Sequence, residues 1–202
     1  MKLVLRLKKT KLFISGAQNN EHMPEKLDFI TPTLLKILHL FHEDPMQEVH
    51  EREIVKRARV SKGSANKILR ELAEIKVLER DRRGRMVFYK LNMKSAVARQ
   101  FKVLFNVFAL NELVEQIKQD CRTIILFGSR SEGTDLKGSD IDLFILTNEK
   151  NKARSKVSAY QNRTGIRMAP VIVNANELVR LRKEDKPLYE RIFKGIVLWE
   201  SE

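Results

Sequence analysis

The sequence predicts an α+β protein: an N-terminal unit of three helices plus a β-hairpin, a long connecting helix, and a C-terminal mixed sheet flanked by helices. Three observations carry this expectation. Residues 31–76 hold three apolar patterns at helical spacing, and residues 77–91 then read as two β-type runs around a Gly-containing tip. Residues 92–119 form another helical pattern. Beyond them, short β-branched runs alternate with helical stretches to the end of the chain. The expected boundaries are 1–25 for a basic strand or hairpin and linker, 26–92 for the helical unit, 93–120 for the connecting helix and 121–202 for the sheet domain.

Composition narrows the partners. The chain has 202 residues, 43% hydrophobic and 32% charged, which suits a globular protein of one or two domains. A net charge of +13 favours a polyanionic partner, nucleic acid before an anionic membrane. The excess leans N-terminal: residues 1–92 carry 20 Lys/Arg against 12 Asp/Glu, residues 93–202 carry 19 against 14. No apolar run approaches a transmembrane length, and residues 1–14 alternate Lys/Arg with Leu/Val without the continuous apolar core of a secretory signal. The single Cys121 excludes an internal disulfide and suits a reducing cytoplasm; at the start of a buried strand it reads as a packed thiol.

In chain order, residues 1–14 read as a basic amphipathic strand or hairpin and 15–25 as a polar linker. Thr31-Pro32 is a helix start, followed by Leu34, Leu35, Ile37, Leu38 and Phe41, and Glu43-Asp44-Pro45 ends that helix. A second helix is expected over 49–58 and a third over 64–76, with Ala65, Ile68, Leu69 and Leu72 inward and Lys62, Asn66, Lys67 and Arg70 outward. The hairpin that follows has a basic tip, with Arg80, Arg82, Arg83 and Arg85. His39, His42 and His50, with Glu43 and Glu51 nearby, match no common zinc spacing and read as ordinary surface or half-buried histidines. In the long helix Phe101, Phe105 and Phe108 form an apolar stripe, read as a packing surface between domains or subunits and hence a homodimer candidate.

The stretch 127–145 carries the chemistry. A buried strand, 122–127, ends at Gly128-Ser129; Gly133 and Gly138 break the next segment; and a second apolar run opens with Asp140 and Asp142 embedded in it. Two apart on a strand, both carboxylates point to one face while Ile141, Leu143 and Ile145 point to a core. Paired carboxylates repel unless a cation sits between them, and Mg²⁺ is held by one or two carboxylates plus substrate phosphates. The Gly128-Ser129 turn, with backbone N–H groups at a helix start, suits distal phosphates.

Strand, Gly-Ser, a further Gly and Ser-Asp-x-Asp opening a hydrophobic strand together resemble the motif of the DNA polymerase β-like nucleotidyltransferases. The likeness is greatest to the minimal nucleotidyltransferases, a group that includes adenylyltransferase antitoxins, and it runs from residue 121 to the end. It implies Asp140 and Asp142 as catalytic metal ligands, Gly128 and Ser129 on a triphosphate, and Arg130 assisting phosphate charge. It further implies Mg²⁺ or Mn²⁺ with an NTP, foremost ATP, and transfer of AMP to a hydroxyl on a small molecule or a protein, a toxin-like partner included. In one respect the sequence departs from the family, which usually supplies a third carboxylate from the strand at Met168–Val173, where no acid occurs. Glu177 lies a few residues beyond, at a helix start that itself favours an acid. The next strand, residues 165–173, contains Pro170, which suits an edge.

The three helices and basic hairpin resemble the winged helix-turn-helix domain of bacterial and archaeal transcription regulators. That implies a third helix in the major groove of double-stranded DNA and a hairpin wing on the backbone or minor groove. The competing reading is a non-enzymatic regulator whose C-terminal domain senses nucleotide or scaffolds a dimer; RNA in place of DNA is a third.

Overall fold

A computed structural model gives the structure and describes residues 30–201. The strand or hairpin expected over 1–14 and the linker over 15–25 lie outside the described residues. The fold is a mixed α+β arrangement with a mixed four-stranded sheet flanked by helices.

Helix α1 (Pro32–Glu43) starts as its sequence dictates: Thr31 Oγ1 accepts from the Leu34 amide at 3.2 Å, and Pro32 takes the first turn, where no amide is needed. The second helix begins later than expected. Val49 and His50 form strand β1 (Val49–His50), and α2 (Glu51–Ala58) follows, with the His50 ring accepting from the Arg52 amide at 3.2 Å. Arg59 at φ 53 closes α2 in the left-handed region, and Ser61 caps α3 (Lys62–Glu74). Strands β2 (Leu78–Arg83) and β3 (Met86–Leu91) make the hairpin, and β1 joins the far side of β3 to give the order β1-β3-β2. Leu34, Ile37, Phe41, Ile54, Leu69, Leu72 and Tyr89 form this unit's core.

Helix α4 (Ala96–Ile117) runs on through a 3₁₀ turn, Lys118–Asp120. It spans two cores: Ala98 belongs to the N-terminal one, Leu110, Leu113, Val114 and Ile117 to the next. Its buried face is not the expected phenylalanine stripe. Phe101 and Phe105 are half-buried against the first core and Phe108 is 69% exposed, whereas Lys102 and Asn106 are buried. Between the two cores the helix faces a polar loop, so polar side chains fill its inner face there.

Strand β4 (Thr123–Phe127), short helix α5 (Ser129–Glu132), β5 (Ile141–Leu146), α6 (Lys150–Thr164), β6 (Met168–Val173), α7 (Ala175–Glu184), α8 (Lys186–Phe193) and β7 (Ile196–Glu200) complete the chain. The sheet order is β6-β5-β4-β7; β4 is antiparallel to β5 and β7, and β5 is parallel to β6. Period-2 alternation divides the side chains between two layers. Ile124, Leu126, Ile141, Leu143 and Ile145 pack with α4 and α6, while Ile125, Phe127 and Phe144 pack with Ile192 of α8. Pro170 sits on β6, an edge strand, where a missing amide costs no ladder bond.

Candidate functional site

The Gly-Ser turn and the paired acids meet at one end of β4 and β5. Asp142 lies opposite Phe127, and the chain turns at Gly128 directly after it. Gly128 has φ 69 and ψ −160, a conformation reserved for glycine, and a Cβ there would lie 2.9 Å from the Asp142 carboxyl carbon. Only a bare α-carbon lets the turn and the carboxylate approach this closely. Ser129 is half-buried and opens α5, which Ser131 closes back by donating its hydroxyl to the Gly128 carbonyl at 2.7 Å.

The two carboxylates sit in different surroundings. Asp142 is half-buried; burial lifts its carboxyl above the usual aspartate range, Arg191 opposes the rise and the neighbouring Asp140 adds to it. Asp140 is exposed, and its carboxylate meets Arg167 Nε at 2.9 Å. Arg167 also donates to the Gly138 carbonyl.

Arg130, expected beside a phosphate, is committed elsewhere. Its guanidinium donates to Asn106 Oδ1 at 2.9 Å, to the Ser139 carbonyl at 2.8 Å and to the Asp140 carbonyl at 3.3 Å. The cation that acts on Asp142 is instead Arg191 on α8, whose guanidinium lies 5.7 Å from the centre of the Phe127 ring. Nothing in the sequence singles out Arg191, one of two cations on α8 and next to Glu190. Only the packing of α8 on β4 singles it out. Lys102 and Asn106 did carry a signal, two polar residues four apart in an apolar helix.

No third carboxylate joins Asp140 and Asp142 among the described residues. The register pairs Asp142 with Ala169 on β6, so alanine occupies the position alongside it on the same face. Glu177 is spent in a capping box with Asn174, accepting from the Asn174 amide at 2.9 Å, and pairs with Lys150 Nζ at 2.6 Å. That pair and the cap hold its carboxyl below the usual glutamate range. No cluster of three or more His, Cys, Asp or Glu capable of holding a metal occurs among the described residues. His39 packs edge-to-face with Phe105, His42 packs against the same ring at a tilt, and His50 caps α2. Cys121 is buried and its thiol is pushed up to about 11, chiefly by burial, which makes it a packing group. Among the described residues no helix is long and apolar enough to cross a membrane.

On the N-terminal unit, Lys62, Lys67 and Arg70 are exposed on α3, and Asn66 is half-buried with its Oδ1 buried and unpartnered among the described residues. On the hairpin Arg80, Arg82, Arg83 and Arg85 are all exposed. Arg83 is already paired, with Glu48 at 2.8 Å and Asp81 at 2.7 Å, and stacks over Phe88.

Comparison with curated proteins found no match. The family model described as "Polymerase beta, Nucleotidyltransferase" matches residues 109–202. A crystal structure of a toxin-antitoxin pair with AMP-PNP is 25% identical, with 48% of this chain and 75% of that chain covered and a TM-score of 0.36. A mutant of the toxin-antitoxin MntA-HpeT is 22% identical, covering 48% of this chain and 74% of that one, also at a TM-score of 0.36. A protein from Sulfolobus solfataricus assigned as a nucleotidyltransferase is 18% identical, covering 54% of this chain and 93% of that one, at a TM-score of 0.35. The family match starts inside α4, where Leu110 begins that helix's contribution to the sheet's core. Residues 109–202 form a nucleotidyltransferase-type domain.

Proposed function

We propose that this chain is a duplex-DNA-binding protein whose C-terminal domain binds a metal-bound nucleoside triphosphate and transfers its nucleoside monophosphate, foremost AMP, to a hydroxyl on a protein or small molecule. The observation that supports it is the closure of the Gly128 turn onto Asp142 beside Asp140 at the open end of one sheet. The donor set suits a divalent, oxygen-preferring cation. Asp140 and Asp142 are adjacent carboxylates, and burial and mutual repulsion raise the Asp142 carboxyl, so a cation between them relieves a standing cost. When bound, such a cation, Mg²⁺ or Mn²⁺, offsets charge on the phosphoryl group.

The chain's own residues do the rest. Gly128 and Ser129 leave room and backbone donors for the triphosphate. Arg191 favours the ionised form of Asp142 and lies where it can meet phosphate charge. On the N-terminal unit, read as a winged helix, α3 supplies Lys62, Asn66, Lys67 and Arg70 to the major groove and the hairpin supplies Arg80, Arg82 and Arg85 to the backbone. Val97, Leu104 and Phe108, exposed along α4, keep the homodimer part of this proposal. A toxin-like acceptor and a cytoplasmic setting belong to it too.

A second reading rests on Ala169 and Glu177. With alanine beside Asp142 and Glu177 locked in a helix cap, the site has two carboxylates, which suits binding nucleotide without turning it over. The domain is then a nucleotide sensor on a transcription regulator. Transfer of label from α-³²P-NTPs with Mg²⁺ or Mn²⁺ to protein and cell-extract acceptors separates the two. Metal-dependent label that disappears in Asp140→Asn/Asp142→Asn supports the transferase. No label, with nucleotide still bound, moves the assignment to the sensor.

A further inference from the structure

We propose that Lys102, Asn106 and Asp135, buried, together with the half-buried Arg130 form one positioning unit that sets Asp140 from helix α4, a proposal that rests on the nucleotide-site reading above. The two carboxylates of the pair are held by different means. Asp142 lies within β5, fixed by ladders to Phe127 on one side and Ala169 on the other. Asp140 lies one residue before the first rung, at the end of a loop containing Gly133 and Gly138. Something other than the sheet must define its place.

The bonds run from α4 to the peptide that carries Asp140. Lys102 Nζ donates to Asp135 Oδ2 at 3.0 Å, and Asn106 Nδ2 donates to Asp135 Oδ1 at 3.1 Å and to the Arg130 carbonyl at 2.9 Å. Asn106 Oδ1 accepts from Arg130 at 2.9 Å, and the same guanidinium holds the Ser139 and Asp140 carbonyls. Ser139 Oγ accepts from the Leu136 amide at 3.0 Å, which tightens the turn between them. The loop is also seated on α4 by Gly133, where a Cβ would lie 2.9 Å from the Arg99 α-carbon.

Burial indicates what the unit is for. Lys102 and Asn106 are each 1% exposed and Asp135 is 3% exposed. Taking such charges out of water costs several kcal/mol per ion, and apolar side chains of similar volume stabilise a fold as well or better. The arrangement is therefore poor as a source of stability. It is effective as a jig, because the planar fork of Arg130 and the amide of Asn106 accept only a narrow range of geometries.

The test compares the wild-type chain with Lys102→Met/Asp135→Leu, which replaces the ions by apolar groups, and with Arg130→Lys, which keeps the charge and loses the fork. Thermal melting, amide exchange of residues 133–142 and affinity for Mg²⁺ with a non-hydrolysable ATP analogue are measured on each. The expected result is cooperative melting in at least one variant, with protection of 133–142 reduced tenfold or more, β4 unchanged, and analogue affinity down at least tenfold. Unchanged protection and unchanged affinity in a folded variant would overturn the proposal. Exchange also separates this idea from the nucleotide reading. If the wild-type chain binds no analogue, that reading fails by itself; loss of protection in Arg130→Lys then still supports the unit, and unchanged protection refutes it.

Discussion

At the scale of single residues, Gly128 and His42 carry the sharpest expectations. Gly128→Ala forces a side chain into a left-handed conformation and against the Asp142 carboxyl, so both backbone and carboxylate must shift. Such strain costs on the order of 1–3 kcal/mol. Chemical denaturation should show that loss, and titration with the Mg²⁺-bound ATP analogue should show binding reduced to background. An Ala variant as stable and as tightly binding as wild type would remove Gly128 from the site. His42 packs where α1 meets Lys102, and burial first, then Lys102, pushes its imidazole down to about 4; Asp135 opposes the shift, and His39 and Arg130 add to it. The folded state thus binds fewer protons than the unfolded one between pH 4 and the usual 6.5. Stability from this group is complete above pH 6.5 and lost as pH falls towards 4, about 3 kcal/mol in all. Denaturation midpoints of wild type and His42→Gln across that range should converge at low pH; parallel curves would show that His42 does not titrate in this window.

At the scale of elements, the basic residues of α3 and the hairpin are not equivalent. Arg82 has no acidic partner among the described residues and donates only to the Gly84 carbonyl at 3.2 Å, whereas Arg83 is held by Glu48 and Asp81. If the hairpin lies on a DNA backbone, Arg82→Ala weakens binding to any duplex alike and lowers the slope of log affinity against log salt by about one. Arg83→Ala should have the smaller effect, because that cation must first leave two carboxylates. Anisotropy of a labelled duplex over a salt series measures both, and equal slopes for all three proteins would take the hairpin out of the interface. Much of this was legible in the sequence because it depends on local chemistry. The cap at Thr31-Pro32, the two strands around Gly84, and Ile141, Leu143 and Ile145 facing one core are readable from period and turn residues. What was not legible depends on tertiary contact. Val49 and His50 become a strand because β3 offers an unpaired edge, Arg130 turns inward because Asn106 waits there, and Arg191 joins the site when α8 packs on β4. The apolar stripe at Phe101, Phe105 and Phe108 predicted a packing face, but residues 101 and 105 of it only half enter the first core while Lys102 and Asn106 take the buried side.

At the scale of the whole molecule, the loop 128–142 belongs to the nucleotidyltransferase-type domain yet meets the helical unit at Lys137 and Asp135 and rests on α4. Lys137 Nζ meets Asp44 Oδ2, just beyond α1, at 3.0 Å, His42 of α1 faces the Lys102–Asp135 pair, and Gly133 rests on α4. The exposed Lys137–Asp44 pair contributes little by itself, about 0–1 kcal/mol. The link between the loop and α1 also runs through His42, which lies beside the buried Lys102–Asp135 pair. If a duplex on α3 shifts α1 even slightly, the shift reaches the Asp140 carbonyl through Lys102, Asp135, Asn106 and Arg130. Linkage then imposes a strict condition: the factor by which duplex changes affinity for the Mg²⁺-bound ATP analogue must equal the factor by which the analogue changes affinity for duplex. Typical couplings lie at about 5–150-fold. Duplex anisotropy with and without saturating analogue, and analogue titration with and without saturating duplex, measure the two factors independently. Wild type should give equal factors different from one, and Lys102→Met/Asp135→Leu should bring both to about one while each ligand still binds alone. Factors of one in the wild-type chain would mean that the shared loop transmits nothing, and that the two units are joined by α4 without being coupled by it.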